Sequence, residues 1–335
     1  MAGLVGAGVV AFSLDTVVDS PSRWGVNYDY MFGNPYIEAD EDIVAPVVGV
    51  AGVEALSAVH VGSLTIDEHE TATLAIDPVK GGLLPTVLSG RAPSEPDEIG
   101  LGAEVARRLD VEIGSTVSVS GVTGESRDLR VVGIVVTPDS AGGGAVVPFD
   151  TFVDLNPTAT RNVLFVRTEP DAGADVVDRI SAANFSPPDA MPTPTSVWAL
   201  RRVLPAPAVL ALVLVVMLVV GCAYLLAMSV RARRRDLAVL RALGARRRQL
   251  RAAVHWQATV VTSLVLLFGA PLGVVLGRWV VSRLTDTLGI VPGVDIPLAA
   301  LALTIVGALV AANLLALLPA RGAARTATRM LNRDR

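Results

Sequence analysis

The stretch Arg231–Arg251, RARRRDLAVLRALGARRRQLR, decides how the rest of the chain is read. Nine of its residues are Arg, and its only acid is Asp236. An uncharged run of 28 residues, Val203–Val230, precedes it, and a second apolar run, Ala252–Gly277, follows. A helix that crosses a bilayer needs about 20 apolar residues, and both runs meet that length. A polybasic loop between two such runs belongs on the cytoplasmic side, because Lys and Arg accumulate in short inner loops. A stop-transfer signal needs only the charge, but this loop also carries a patterned helix. Asp236 stands at its start, where a negative charge meets the positive end of the helix dipole. Leu237, Leu240 and Leu243 follow at intervals of three, and Gly244 is placed to cap the C-terminus. The plainer reading is a positive-inside loop touching lipid headgroups. The ordered leucines and the Gly244-Ala245 break point instead to a helix that binds a partner.

Composition agrees with a membrane protein: of 335 residues 52% are hydrophobic, and the mean hydropathy is +0.54. Residues 1–230 carry 12 basic and 28 acidic side chains, a net of −16, whereas residues 231–335 carry 16 and 4, a net of +12. An acidic half outside and a basic half inside follows. The expected spans are about 203–230, 252–277 and 296–320, the last with Asn313 as its polar residue. Trp198, Trp256 and Trp279 fall near span ends, where amphipathic rings sit. The tail beyond Pro319, including 326–335, carries Arg321, Arg325, Arg329, Arg333 and Arg335 and is placed in the cytoplasm. Loop 278–295 and everything before Val203 are then outside. Residues 1–14 are apolar but short for a relaxed span and lack a basic start, so they read as part of a first transmembrane helix in a fragment or the rear portion of a longer protein.

Residues 15–200 form the water-soluble part. Short β-like runs at Thr116–Ser120, Leu129–Val136 and Val163–Arg167 are punctuated by Pro and Gly. Helical patterns lie at Ala103–Leu109 and Ala174–Ala183, and the mixture indicates an α+β domain. Ser186–Thr195, SPPDAMPTPT, reads as a Pro-rich linker.

Chemistry-bearing motifs are scarce. Lys80 is the only lysine and lacks a P-loop setting, so the chain is not a self-contained P-loop ATPase. His69-Glu70 begins a metalloprotease-like pattern that Thr73 breaks, and no G-x-S-x-G occurs. The acids Glu38, Asp40, Glu41 and Asp42 lack EF-hand spacing and read as a solvated loop. Cys222, the only cysteine, reads as a small packing residue. No catalytic, cofactor-binding or metal-ligating residue is assigned. Gly269, Gly273 and Gly277, four apart, make a flat stripe for close helix approach, either within the chain or at a dimer interface. Pro271 lies in the same span.

RRRDLAVLRALGARRRQLR followed by a long apolar span resembles the cytoplasmic segment of FtsX/MacB-type ABC transporter permeases. Asp236 through Ala245 match the family's pattern position by position, and the exit Leu318-Pro319-Ala320-Arg321 is similar to its usual ending. The soluble part adds Leu88-Ser89-Gly90-Arg91-Ala92-Pro93, Asp97-Glu98-Ile99-Gly100-Leu101-Gly102, Ala106-Arg107-Arg108-Leu109, then Gly114, Val117 and Arg130–Val135. This series resembles the MacB-like periplasmic core domain, and the likeness covers about residues 80–140 and 200–325.

The resemblance implies a membrane α-helical fold with three complete transmembrane helices, a short N-terminal apolar segment and an inserted α+β extracytoplasmic domain. Residues 1–14 would be a partial first helix, 15–200 the core domain and 201–325 the FtsX-like permease domain. The implied function is that of a permease subunit in the cell membrane, multi-pass with a cytoplasmic C-terminus. It would not be an enzyme and would hold no cofactor, since a separate ABC ATPase binds the ATP. Asp236, Leu237, Leu240, Arg241, Leu243 and Gly244 would form the coupling helix seated on that ATPase. A second permease unit, as a dimer or as the other half of a duplicated permease, and the lipid bilayer are the other implied partners; nucleic acid is not. The driven work is either export or mechanotransmission. An alternative is a membrane-anchored regulator that relays ATPase motion to a cell-envelope enzyme without transport. Four spans are usual in the family, so the three complete spans here are a departure.

Overall fold

The structure, a computed structural model, describes residues 1–36, 42–138, 140–182, 188, 202, 205–232, 247–293, 298–299 and 301–314. In chain order the elements are α1 (Ala2–Val18), β1 (Tyr30–Gly33), α2 (Ala45–Val48), β2 (Val53–Ile66), β3 (His69–Lys80), β4 (Thr86–Gly90) and β5 (Glu98–Gly102). There follow α3 (Ala103–Leu109), β6 (Thr116–Ser120), β7 (Ser126–Val136), β8 (Ala145–Pro148), α4 (Phe149–Leu155), β9 (Val163–Thr168) and α5 (Gly173–Ser181). The helices α6 (Pro205–Ala232), α7 (Arg247–Leu288) and α8 (Leu301–Leu314) follow, and a short 3-10 turn, Pro21–Trp24, lies between α1 and β1. Two compact units result: a core domain of Thr16–Arg202 with Ser282–Gly293, and a helical unit of Met1–Asp15, Val203–Val281 and Val294–Arg335.

In the core domain six strands close a ring, β2-β3-β8-β5-β7-β6, with β6 returning to β2. The closure is pinned at the β2–β3 hairpin. Its two-residue loop, Asp67-Glu68, has positive φ at both positions (42° and 68°), the twist a tight hairpin favours. Asp67 then exchanges bonds with β6: Ser118 N donates to Asp67 Oδ1 at 2.9 Å, and Asp67 N donates to Ser118 O at 2.9 Å. The ring is filled by Leu64, Ile66, Ile99, Leu101, Val117, Val119, Leu129 and Val131 and closed by α3 and α4 side chains. Alternate residues of β6 point inward, as the two-residue period of a strand requires. A second core lies where β1, β9 and the start of β2 meet α2 and α5, around Phe32, Leu56, Leu164, Val176 and Ile180.

The helical unit is built differently. Apolar side chains cover its surface: Phe268 is 72% and Met217 67% exposed, as suits helices solvated by hydrocarbon. Among the described residues one helix, His255–Leu288, is long and apolar enough to cross a membrane. Ala2–Val18, Pro205–Gly221 and Leu301–Leu314 are apolar but shorter. Two helices run beyond the apolar stretches read from the sequence. α1 continues past Leu14 to Val18, and α7 continues past Gly277 to Leu288. Arg278 ends the apolar run but not the helix, because a helix stops where its carbonyls are capped rather than where hydropathy falls.

Candidate functional site

The coupling residues expected from sequence, Asp236, Leu237, Leu240, Arg241, Leu243 and Gly244, lie outside the described residues. The helices that flank them, α6 to Ala232 and α7 from Arg247, are described.

The glycine stripe of α7 lies against α1 of the same chain. A Cβ placed on Gly273 would fall 2.5 Å from Ala2 O and 2.7 Å from Val5 Cβ. One on Gly277 would fall 2.8 Å from Val9 Cβ and 2.9 Å from Gly6 O, and one on Gly269 3.1 Å from Met1 Cβ. Gly6 answers across the seam, where an added Cβ would lie 3.2 Å from Gly273 O. Val5, Val9 and Ala270 are buried at this seam, with Val274 and Leu301 packed on them. In hydrocarbon, burying one more apolar side chain gains little, so helices associate through close backbone approach instead. Pro271 sits within the same helix, where its ring leaves the Leu267 carbonyl without its usual amide partner.

Between α7 and α8 lies a polar trio. Asn313 Nδ2 donates to Thr259 Oγ1 at 3.2 Å and to Leu309 O at 3.0 Å. Asn313 Oδ1 lies 3.1 Å from His255 Nδ1, which donates in the tautomer protonated there. Thr259 Oγ1 donates to His255 O at 3.0 Å. His255 and Asn313 also line an open notch with Leu309, Val310 and Leu314.

The far end of α7 is part of the core domain. A helix leaves its last carbonyls without internal partners, and here three of them are satisfied by two routes. Gly289 takes the left-handed conformation (φ +65°), and Ile290 N donates to Thr285 O at 3.1 Å. That pattern is a Schellman cap, with buried Ile290 as its apolar follower. The next two carbonyls accept from one side chain on α3: Arg107 Nη1 donates to Asp286 O and Nη2 to Thr287 O, both at 2.8 Å. A cation at the negative end of a helix dipole adds about 0.3–1 kcal/mol when exposed, as Arg107 is. Gly142 fits beneath: a Cβ there would lie 3.0 Å from both Gly289 Cα and Leu288 O. Gly142 O in turn accepts from Glu104 N, in the first turn of α3, at 2.9 Å. Beyond the cap, Val291 N donates to Arg23 O at 2.9 Å, and Arg23 Nη1 donates to Pro292 O at 3.0 Å.

A carboxylate clamp gives the Gly90–Glu98 motif its physical meaning. The Glu98 side chain is fully buried and accepts from Arg91 through both oxygens, from Arg130 at 3.2 Å, and from the amides of Ser94 and Glu95 at 3.1 and 3.2 Å. The hydrogen bond from Arg91 outweighs desolvation and holds this carboxyl at about 2, below its ordinary 4.5. Gly90 (φ +76°) and Gly133 let the Arg91 loop cross β7 closely: a Cβ on Gly133 would lie 2.1 Å from Arg91 O.

Arg107 entered the sequence reading only as part of a motif, and Arg23, Gly142 and Gly289 not at all. One signal was available. Thr287-Leu288-Gly289-Ile290-Val291-Pro292 carries Gly at the cap, an apolar residue next and Pro soon after, the signature of a helix stop. Nothing local in the sequence marks Arg107 as its partner.

Comparison with known proteins covers nearly the whole chain. Residues 208–328 match the family model of the FtsX-like permease C-terminal region, and residues 1–183 match that of the MacB-like periplasmic core domain. The uncharacterized ABC transporter permease Rv0072 of Mycobacterium tuberculosis is 30% identical over 267 residues, which are 76% of this chain and 69% of that protein. The uncharacterized ABC transporter permease Mb2592 of Mycobacterium bovis is 29% identical over 259 residues, 74% of this chain and 67% of its own length. Among solved structures, the extracellular domain of the noncanonic ABC-type transporter YknZ from Gram-positive bacteria is 19% identical, covers 47% of this chain and 92% of its own, and superposes with a TM-score of 0.36.

Proposed function

The chain belongs to the FtsX-like, MacB-type family of ABC transporter permeases, and from that premise we propose that it couples ATP hydrolysis by a separate ATPase subunit to work on the outer side of the membrane. The family is one of membrane-embedded transporters with a periplasmic domain, and the ATP chemistry falls to the partner. In this reading the helix over 236–245 is the coupling element in the cytoplasm, with Leu237, Leu240 and Leu243 anchored in a groove of the ATPase and the arginines complementing its charge. The chain crosses the membrane at about 203–230, 252–277 and 296–320, its C-terminus is cytoplasmic, and a second permease unit completes the assembly.

The observation that carries the reading is α7. Its residues Arg247–Val281 group with the helical unit and Ser282–Leu288 with the core domain. The helix therefore follows directly on the coupling segment at one end and is built into the extracytoplasmic domain at the other. The capped end of α7 supports a reading in which motion reaches the core domain, whether the driven work is export or mechanotransmission; the alternative is relay to a cell-envelope enzyme without transport.

The test is at the inner end. Leu240→Asp combined with Leu243→Asp in the full chain is expected to abolish co-purification of the ATPase while membrane insertion persists. Undiminished co-purification overturns the coupling assignment.

A further inference from the structure

We propose that Arg107 is a positioning residue for coupling: its guanidinium fixes the last turn of α7 to α3, so that displacement of α7 is passed to the β-ring of the core domain. The inference rests on the reading of the chain as an ATPase-coupled permease.

Three features at the end of α7 resist different movements. The Schellman bond from Ile290 N to Thr285 O lies within the helix and its own exit, so it shapes the end without tying it to anything. The contact of Gly142 with Gly289 and Leu288 O is one of touching surfaces; it stops the helix from moving inward but not from withdrawing. Arg107 is of another kind. Helix carbonyls point along the axis toward the C-terminus, and Arg107 bridges two successive ones, on Asp286 and Thr287. Two parallel bonds from one planar group resist both axial withdrawal and rotation. The exit beyond the helix is tied separately, through Val291 N to Arg23 O and Arg23 to Pro292 O.

Arg107 is well placed to pass that force on. It sits on a two-turn helix that follows β5 without a loop, and the five residues of β5 are all buried in the ring. Val105 and Ala106, its neighbours on α3, are buried in the same core. A push or twist on Arg107 thus reaches the barrel through a short, stiff path. The fork geometry also makes Lys a partial substitute only, since an ammonium lacks two coplanar donors.

The experiment uses the full chain in lipid nanodiscs with the ATPase that co-purifies with it. Amide hydrogen exchange is followed by mass spectrometry with and without ADP–vanadate. In the wild type, nucleotide is expected to alter exchange in residues 98–109 and 282–293 together. In Arg107→Ala, residues 285–293 are expected to exchange about ten-fold faster, and the nucleotide response at 98–109 is expected to vanish. ATPase turnover and exchange across β7 should stay unchanged, showing an assembled and folded complex. Arg107→Lys is expected to restore part of the response. Should β7 show that Arg107→Ala does not fold, Arg107→Gln carries the same comparison. An Arg107 variant that responds to nucleotide as the wild type does overturns the proposal and leaves the coupling function standing. A wild-type complex with no nucleotide response in the core domain overturns the coupling reading and the proposal with it.

Discussion

α7 is held by two unlike devices along its length. In its middle, Gly273 and Gly277 meet α1 at distances that leave no space for a methyl group, with Gly269 tight against Met1, and the glycines make the seam by having no side chains. At its end, a glycine cap and the Arg107 guanidinium satisfy carbonyls with hydrogen bonds. The difference fits the proposed placement, with the middle of α7 in the bilayer and its end outside it. In hydrocarbon there is no apolar surface to hide from water, so close approach and dispersion do the holding. In water the same stripe would forfeit about 1 kcal/mol per Gly relative to Ala in helix stability. Conversely, an exposed Arg beside Asp286 is stable at a water-facing helix end and expensive deep in a bilayer.

The largest expected effect comes from filling the seam. Gly273→Val puts a branched side chain where even a Cβ meets a backbone oxygen at 2.5 Å and another Cβ at 2.7 Å, neither of which swings aside. We expect a loss of about 3 kcal/mol, at the upper end for overpacking, read as a lowered thermal midpoint in detergent. Gly307→Ala in α8 is the contrast, because no described atom lies within 4 Å of its added Cβ. Helix propensity alone favours Ala over Gly, so Gly307→Ala should cost nothing, and an equal loss at both positions would mean that the seam is not what is being measured.

The core domain should instead respond to lost polar partners. Glu98→Ala strips the buried acceptor from two loop amides and two guanidinium groups, and we expect about 2–3 kcal/mol of destabilisation. The arginines are half exposed and rehydrate, which keeps the loss below that of a fully buried ion pair. The pH dependence has a definite sign. With the folded carboxyl near 2 and its ordinary value 4.5, the unfolded chain takes up the proton first as pH falls. The contribution of Glu98 is therefore complete above about 4.5 and is lost as pH drops toward 2. Glu98→Gln should remove that part of the acid limb, measured as the difference between the two melting curves across this window.

Much of this was legible in the sequence where the signal is local. Thr116–Ser120 alternates and is β6; Ala103–Leu109 follows a helical period and is α3. The Gly stripe was visible because its spacing repeats with the helix. What it faces was not, since α1 lies more than two hundred residues away in the chain. The ring closure escaped for the same reason: it depends on Asp67 meeting Ser118, two polar residues with nothing unusual about either. Where α7 ends was not legible from hydropathy, which drops at Arg278, because the backbone is stopped only at Gly289. The Arg91 and Glu98 of the core motif could be quoted, but not their union, because a buried carboxylate is recognised only once the loop around it is folded.

The smallest effect expected is at the polar trio, and it asks whether the helical unit uses hydrogen bonds at all. Asn313→Leu removes the bonds to Thr259 and Leu309 and the partner of His255 Nδ1, while keeping the number and branching of side-chain heavy atoms. Polar contacts between membrane helices average about 0.6 kcal/mol, since a separated helix finds other partners for the same groups. A shift of that size in the thermal midpoint, well short of the Gly273→Val effect, would mean that packing rather than hydrogen bonding holds α7 among its neighbours. A loss matching that of Gly273→Val would instead place a polar device inside the helical unit, and the division of α7 by solvent would no longer hold.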